Sequence, residues 1–223
     1  MPSNLMILTP ALLLSLFSVS CLVASDWHQF RAGRLIFKPL AALCFIWLAL
    51  LLGALQTGYG QWLLLGLLLC ALGDILLMFE SESAFLGGLI AFLCGHLLYA
   101  GAFTQLPINT AGVALATIPA LALVVLTLRW LKPHLRWPMT AAVPIYMLVI
   151  ATMLVFAAGT WGQPGALVII AGAWGFAFSD LAVARRQFVC ADRINGLWGT
   201  PLYFGSQMLL AASLAWQGAV SYT

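Results

Sequence analysis

Hydrophobic side chains run along this chain in blocks of about 20, and polar side chains are confined to short interruptions between them. A helix rises 1.5 Å per residue, so a block of that length matches the hydrocarbon thickness of a bilayer. Eight such segments emerge, near 5–24, 39–56, 61–79, 84–104, 109–130, 138–158, 164–184 and 198–218. The interruptions are built from turn formers: Gln56-Thr57-Gly58-Tyr59-Gly60, Glu80-Ser81-Glu82-Ser83, Gln105-Leu106-Pro107-Ile108-Asn109 and the stretch from Gly159 to Pro164. The pattern predicts an all-α polytopic membrane protein, an eight-helix transmembrane bundle forming one integral membrane domain over residues 1–223. The first block ends Ser18-Val19-Ser20-Cys21, in the outline of a lipoprotein signal. No basic segment precedes it, and it is nearer a full span than a signal-peptide core, so it reads as a retained span.

Composition removes the soluble alternatives. Of 223 residues, 64% are hydrophobic and 7% charged, where a soluble domain carries about a quarter charged residues to cover its surface. The net charge of +3 does not point to nucleic acid, because nine Lys and Arg cannot both flank spans and track phosphates. Cys21, Cys44, Cys70, Cys94 and Cys190 lie mostly in apolar runs without paired spacing and read as small core hydrophobes.

The placement of the nine cations sets an orientation. Arg31, Arg34 and Lys38 follow span 1, Arg129, Lys132 and Arg136 follow span 5, and Arg185, Arg186 and Arg193 follow span 7. The connections after spans 2, 4 and 6 and both tails carry none. By the positive-inside rule the basic loops are cytoplasmic and both termini outside, as in a bacterial inner-membrane protein.

Four of the six acids sit in connections: Asp26, Glu80, Glu82 and Asp192. Asp74, late in span 3, and Asp180, late in span 7, do not. An Asp within a span costs about 2.5 to 3.5 kcal/mol on insertion scales, so such residues face a protein interior and mark functional paths. Both spans run towards the cytoplasm, which puts the two carboxyls at similar depth, roughly 6 to 9 Å inside the boundary. Other polar groups reach the same half of the membrane. His96 and Tyr99 share a face of span 4, Tyr203 and Gln207 share a face of span 8, Tyr146 lies on span 6, and Lys38 abuts Pro39 at the start of span 2. Spans 1 and 5 are left as apolar packing elements. The order of features suggests a duplication into two parallel four-span halves, each with an Asp late in its third span and a Tyr in its fourth, Tyr99 and Tyr203. Structural roles compete with these readings. A buried Asp or His can simply hold a bundle together by hydrogen bonds, and Gly73, Gly95 and Gly172 suit close helix approach.

The residues also carry a resemblance. Gly73-Asp74 with Leu77-Met78, Phe92 with Gly95-His96 and Tyr99, Gly172-Ala173 with Phe176, Ser179 and Asp180, and Tyr203 with Gln207 occur in an order and spacing similar to the lysoplasmalogenase family of integral membrane proteins, the YhhN type. The resemblance implies a hydrolase that cleaves the vinyl ether bond of lysoplasmalogens, releasing a fatty aldehyde and glycerophosphocholine or glycerophosphoethanolamine. The chemistry suits the residues. A vinyl ether hydrolyses by protonation at its β-carbon, followed by capture of the oxocarbenium ion by water. One carboxyl must be neutral, as desolvation favours, to deliver the proton; a second must stay ionised to stabilise the cation and activate water. Asp74 and Asp180 supply such a pair, without indicating which is the acid. His96, Tyr99, Tyr203 and Gln207 are candidates to set protonation and orient water, with Tyr146 and Ser179 as further lining groups. Lys38 or a nearby cytoplasmic Arg is a candidate for the headgroup phosphate of the lysophospholipid. Only His96 of the three His lies within a span, so no metal site and no cofactor are expected. Two other classes fit the bundle less well: a small proton-coupled transporter with Asp74 and Asp180 as relay groups, and a non-catalytic lipid-binding protein.

Overall fold

In the computed structural model the backbone is described for residues 2–217 and side chains for residues 8–217. The two chain ends, expected on the side of the membrane opposite the cytoplasm, fall partly beyond that range. Among the described residues the chain forms eight long helices and no strand: α1 Pro2–Trp27, α2 Arg31–Leu51, α3 Gly58–Leu76, α4 Glu82–Phe103, α5 Thr110–Leu131, α6 Met139–Gly159, α7 Ala166–Ala184 and α8 Ile194–Ala212. A short α9, Leu214–Gln217, follows. Helices α1 to α7 are long and apolar enough to cross a membrane. Helix α8 is as long as α3 and α7 but interrupts its apolar run with Asn195, Tyr203, Ser206 and Gln207 and stands outside that set.

The turn formers do what their chemistry predicts. Thr57, Ser81 and Asn109 accept the backbone N–H groups of Gly60, Ala84 and Gly112, capping α3, α4 and α5. The basic segments differ from expectation. They were expected as connections, yet α2 begins at Arg31 and carries Pro39 inside it, so Lys38 stands two turns within the helix rather than at its mouth. The reason is register. Arg31, Arg34 and Lys38 recur at i, i+3 and i+7, one helical stripe, and all three face the internal cavity described below. Likewise α7 runs on through a wider helical turn over Arg185–Val189, and α8 starts at Ile194, four residues earlier than its apolar run suggests.

Packing makes a ring. Helix α2 lies against α3, α3 against α4, α4 against α6, α6 against α7, α7 against α8, and α8 back against α2. Helix α1 leans on the outside of α2 and α8, and α5 on the outside of α6. That fits the expectation that the first and fifth spans are packing elements, with one amendment: Leu22 and Asp26 of α1, and Thr127 and Leu131 of α5, still reach the cavity. The outward faces are apolar, as lipid contact requires. Leu115 and Ile118 of α5 are each 76% exposed.

Small residues set how closely the helices approach. A side chain at Gly172 would meet Leu210 of α8 at 2.9 Å, and one at Gly66 would run into the ring of the fully buried Tyr99. Gly66→Ala is therefore expected to lower the thermal unfolding midpoint in detergent, at a cost of ~2 kcal/mol from overpacking. An unchanged midpoint would mean that α3 and α4 pack more loosely.

Candidate functional site

A cavity of about 720 Å³ opens inside the ring, at the end where the basic segments lie. Its floor carries Lys38, Asp74, Tyr146, Ser179, Asp180 and Tyr203. Its mouth carries Arg31, Arg34, Glu80, Glu82 and Arg186. Apolar walls from Leu77, Leu89, Phe92, Val143, Met147 and Ile150 complete it.

Asp74 sits two residues from the last residue of α3 and is 2% exposed. Lys38 places Nζ 3.2 Å from its Oδ1, and Tyr203 donates its O–H to Oδ2 at 2.7 Å. Both contacts put hydrogen donors on the carboxyl, so it is fully served as an acceptor.

Asp180 is set differently. Tyr146 donates its O–H to Oδ2 at 2.9 Å, and His96 Nε2 stands 3.4 Å from the same oxygen. The imidazole is fully buried and stacked on Phe176, with ring centroids 4.2 Å apart and planes at 16°. Its Nδ1 lies 2.7 Å from the Phe92 carbonyl oxygen. A carbonyl only accepts, so Nδ1 carries a hydrogen and donates it. Nε2 faces Asp180 without an aligned hydrogen bond to any protein group. The side chain of Asp180 is 14% exposed, against 3% for Asp74, and is thus the more open of the two to the cavity.

The remaining expected residues divide. Ser179 lines the cavity, but its hydroxyl is committed to the Phe176 carbonyl at 2.7 Å. Tyr99 and Gln207 do not line it. They are fully buried behind the floor, where the Tyr99 O–H donates to Gln207 Oε1. Of the acids expected in connections, Asp26 lies in the last turn of α1, where it pairs with Arg34 at 3.8 Å, and Asp192 accepts the Ile194 N–H at 3.1 Å.

Sequence reading missed the mouth. A cytoplasmic Arg was offered for phosphate without saying which, although the i, i+3, i+7 spacing of Arg31, Arg34 and Lys38 already described one face. Asn195 was missed too. It is buried, receives Arg185 Nη1 on its side-chain oxygen and donates to the Cys190 carbonyl at 2.7 Å, which fixes the wide turn carrying Arg186.

A ring of membrane-type helices around a carboxyl-bearing cavity defines a polytopic membrane protein with an internal site. Residues 33–214 match the model of the YhhN family, and the chain belongs to that family, as the order of its motifs implies. It is 31% identical over 192 residues to the lysoplasmalogenase TMEM86A of Bos taurus, covering 80% of this chain and 76% of the bovine protein. It is 32% identical over 160 residues to the lysoplasmalogenase TMEM86B of Mus musculus, covering 70% of this chain and 65% of the mouse protein. With the TMEM86B of Sus scrofa the identity is 34% over 154 residues, 67% of this chain and 62% of the relative. No solved structure matches this chain.

The ion pair makes a stability prediction independent of activity. Lys38→Met leaves the Asp74 carboxyl buried without its cation, so that it must take up a proton to stay there, and is expected to cost about 3 kcal/mol. Adding Asp74→Asn removes the stranded carboxyl and should recover part of the loss. Thermal unfolding of both single variants and the double variant checks this; strictly additive losses would show that the two groups are not coupled.

Proposed function

We propose that this chain is a membrane hydrolase that cleaves the vinyl ether bond of lysoplasmalogens, releasing a fatty aldehyde and glycerophosphocholine or glycerophosphoethanolamine by Asp-mediated general acid and base catalysis. The supporting observation is the floor of the cavity, where two carboxyls with different partners face one apolar-walled space. The names of the relatives point to the same reaction.

The cavity has the chemical gradient that such a substrate carries. Arg31 and Lys38 are seven residues apart on α2, about 10 Å along the helix axis. A phosphate at the level of Arg31, Arg34 and Arg186 would therefore leave room for the glycerol unit above the Asp74 floor. Glu80 and Glu82 on the same rim suit the ammonium of a choline or ethanolamine headgroup. Lys38, offered by the sequence as a phosphate ligand, is committed to Asp74, so the rim arginines take that role. The alkenyl chain follows the apolar walls. In this reading α8 is the eighth span, closing the ring between α7 and α2. The basic end of the bundle is cytoplasmic in an inner-membrane type of bacterial protein, and both termini are outside.

Purified protein in detergent should release aldehyde from lysoplasmenylcholine or lysoplasmenylethanolamine and leave an ester-linked lysophospholipid intact. Asp74→Asn and Asp180→Asn should each lower kcat by at least ~100-fold, the scale of a lost acid or base. Arg31→Gln and Arg186→Gln should raise KM with kcat nearly kept. Folded protein that yields no aldehyde would overturn the hydrolase reading, and activity surviving both Asp substitutions would overturn the mechanism.

A further inference from the structure

The two carboxyls sit in matching frames built from opposite halves of the chain. Each takes one partner from the preceding helix of its own half and one from the last helix of the other half. Asp74 has Lys38 from α2 and Tyr203 from α8; Asp180 has Tyr146 from α6 and His96 from α4. Chain spacing repeats the pattern. Lys38 precedes Asp74 by 36 residues and Tyr146 precedes Asp180 by 34, while His96 follows Asp74 by 22 and Tyr203 follows Asp180 by 23. Gly66 and Gly172 each stand eight residues before their Asp. The helix ring has the same exchange: α4 meets α6 as α8 meets α2, and α1 flanks α2 as α5 flanks α6. Tyr203 thus corresponds to His96, not to Tyr99. Tyr99, three residues past His96, and Gln207, four past Tyr203, lie at neighbouring levels of the two helices and bond to each other.

Equivalent positions would make equivalent acids, and catalysis needs unequal ones. The geometry points to Asp180, held with His96, as the proton donor and to Asp74 as the ionised carboxylate, with Lys38 as the residue that makes the two equivalent positions chemically different. Asp74 meets an ammonium and a hydroxyl hydrogen and needs no proton of its own. At Asp180 the hydrogen on His96 Nδ1 is taken by the Phe92 carbonyl, so Oδ2 and Nε2 would face each other as two acceptors unless a proton lies within the pair. Among the described residues no Lys or Arg is paired with Asp180; the other charged groups of the cavity, Asp26, Arg31, Arg34, Glu80, Glu82 and Arg186, stand at its mouth.

The catalytic roles rest on the vinyl ether hydrolase reading; the protonation states do not. The Asp180 proton forms the new C–H bond at the β-carbon with the alkene π electrons, leaving an oxocarbenium ion. A water oxygen bonds to the cationic carbon and its proton passes to Asp74, giving a hemiacetal. The carbon–oxygen bond to glycerol then breaks, the departing oxygen takes the proton from Asp74, and the hemiacetal hydroxyl returns its proton to Asp180. One water is consumed and both carboxyls are restored. His96 acts through Asp180 and is a positioning residue.

Infrared spectroscopy of the purified full-length protein at neutral pH tests the assignment without substrate. The C=O stretch of a protonated carboxylic acid should be present in the wild type and in Asp74→Asn, absent in Asp180→Asn, and shifted but retained in His96→Gln. Lys38→Met should add a second such band. Absence of the band from the wild type, its loss in Asp74→Asn alone, or its survival in both Asp variants would overturn the proposal. Should Asp180→Asn fail to fold, Asp74→Asn decides, because the band must persist there. An assay for aldehyde on the same samples separates the two readings: the expected band pattern without aldehyde release sinks the hydrolase and leaves the protonation states, whereas aldehyde release with the reverse pattern sinks only the assignment.

Discussion

A carboxyl buried inside a membrane protein has little water to fall back on, so it must meet donors or carry a proton. Asp74 and Asp180 impose that requirement on the helices around them. Lys38, Tyr203, Tyr146 and His96 come from α2, α8, α6 and α4, which means that four of the six ring helices are fixed in rotation and height by the need to serve two side chains on the other two. Closing the ring is what brings Tyr203 to Asp74 across 129 residues of sequence. A looser bundle would strand a charge, at a cost larger than the small packing gains available between helices in lipid.

The supporting layer follows from the same demand. Phe176 stacks on His96 and also contacts Tyr99, Phe92 and Tyr203 at ring centroid distances of 5.5 to 6.2 Å. Being apolar, this cluster keeps water from the back of the imidazole and holds its plane, so Nε2 has Asp180 as its facing group. Behind it, the Tyr99 O–H donates to Gln207 Oε1.

Much of this was legible in the chain. The helical class and the two unexplained acids could be read from a sequence so poor in charge. That Asp74 and Asp180 could share one cavity was readable because helical rise is constant. What could not be read was direction around each helix axis. A run that is hydrophobic all round shows no amphipathic face, so Tyr99, on the same side of α4 as His96, was grouped with the site although it points past it to Gln207. The basic segments failed for another reason. Cations near a span end satisfy the orientation rule whether they lie in a loop or on the first turns of a helix, and Pro39 looked like a helix start. Pro is tolerated inside a membrane helix when neighbours serve the freed carbonyl, and α2 uses that latitude to carry Lys38 down to Asp74.

Under the proposed reaction, the same contacts bear on why the site would suit an alkene better than an ester. Ester hydrolysis by covalent catalysis needs an activated nucleophile with a base at hydrogen-bond distance. Ser179 is the hydroxyl on the cavity floor nearest in sequence to Asp180, yet it gives its hydrogen to the Phe176 carbonyl, while His96 is held between Phe92 and Asp180. No triad of serine, histidine and carboxylate is assembled from these groups. What the floor does offer is one carboxyl beside an ammonium and one facing a ring nitrogen and a hydroxyl. That is the equipment for moving a proton onto carbon and removing one from water. On that reading, selectivity for the vinyl ether comes from the basicity of its β-carbon, a property an ester lacks, and the rim of the cavity need only recognise the headgroup.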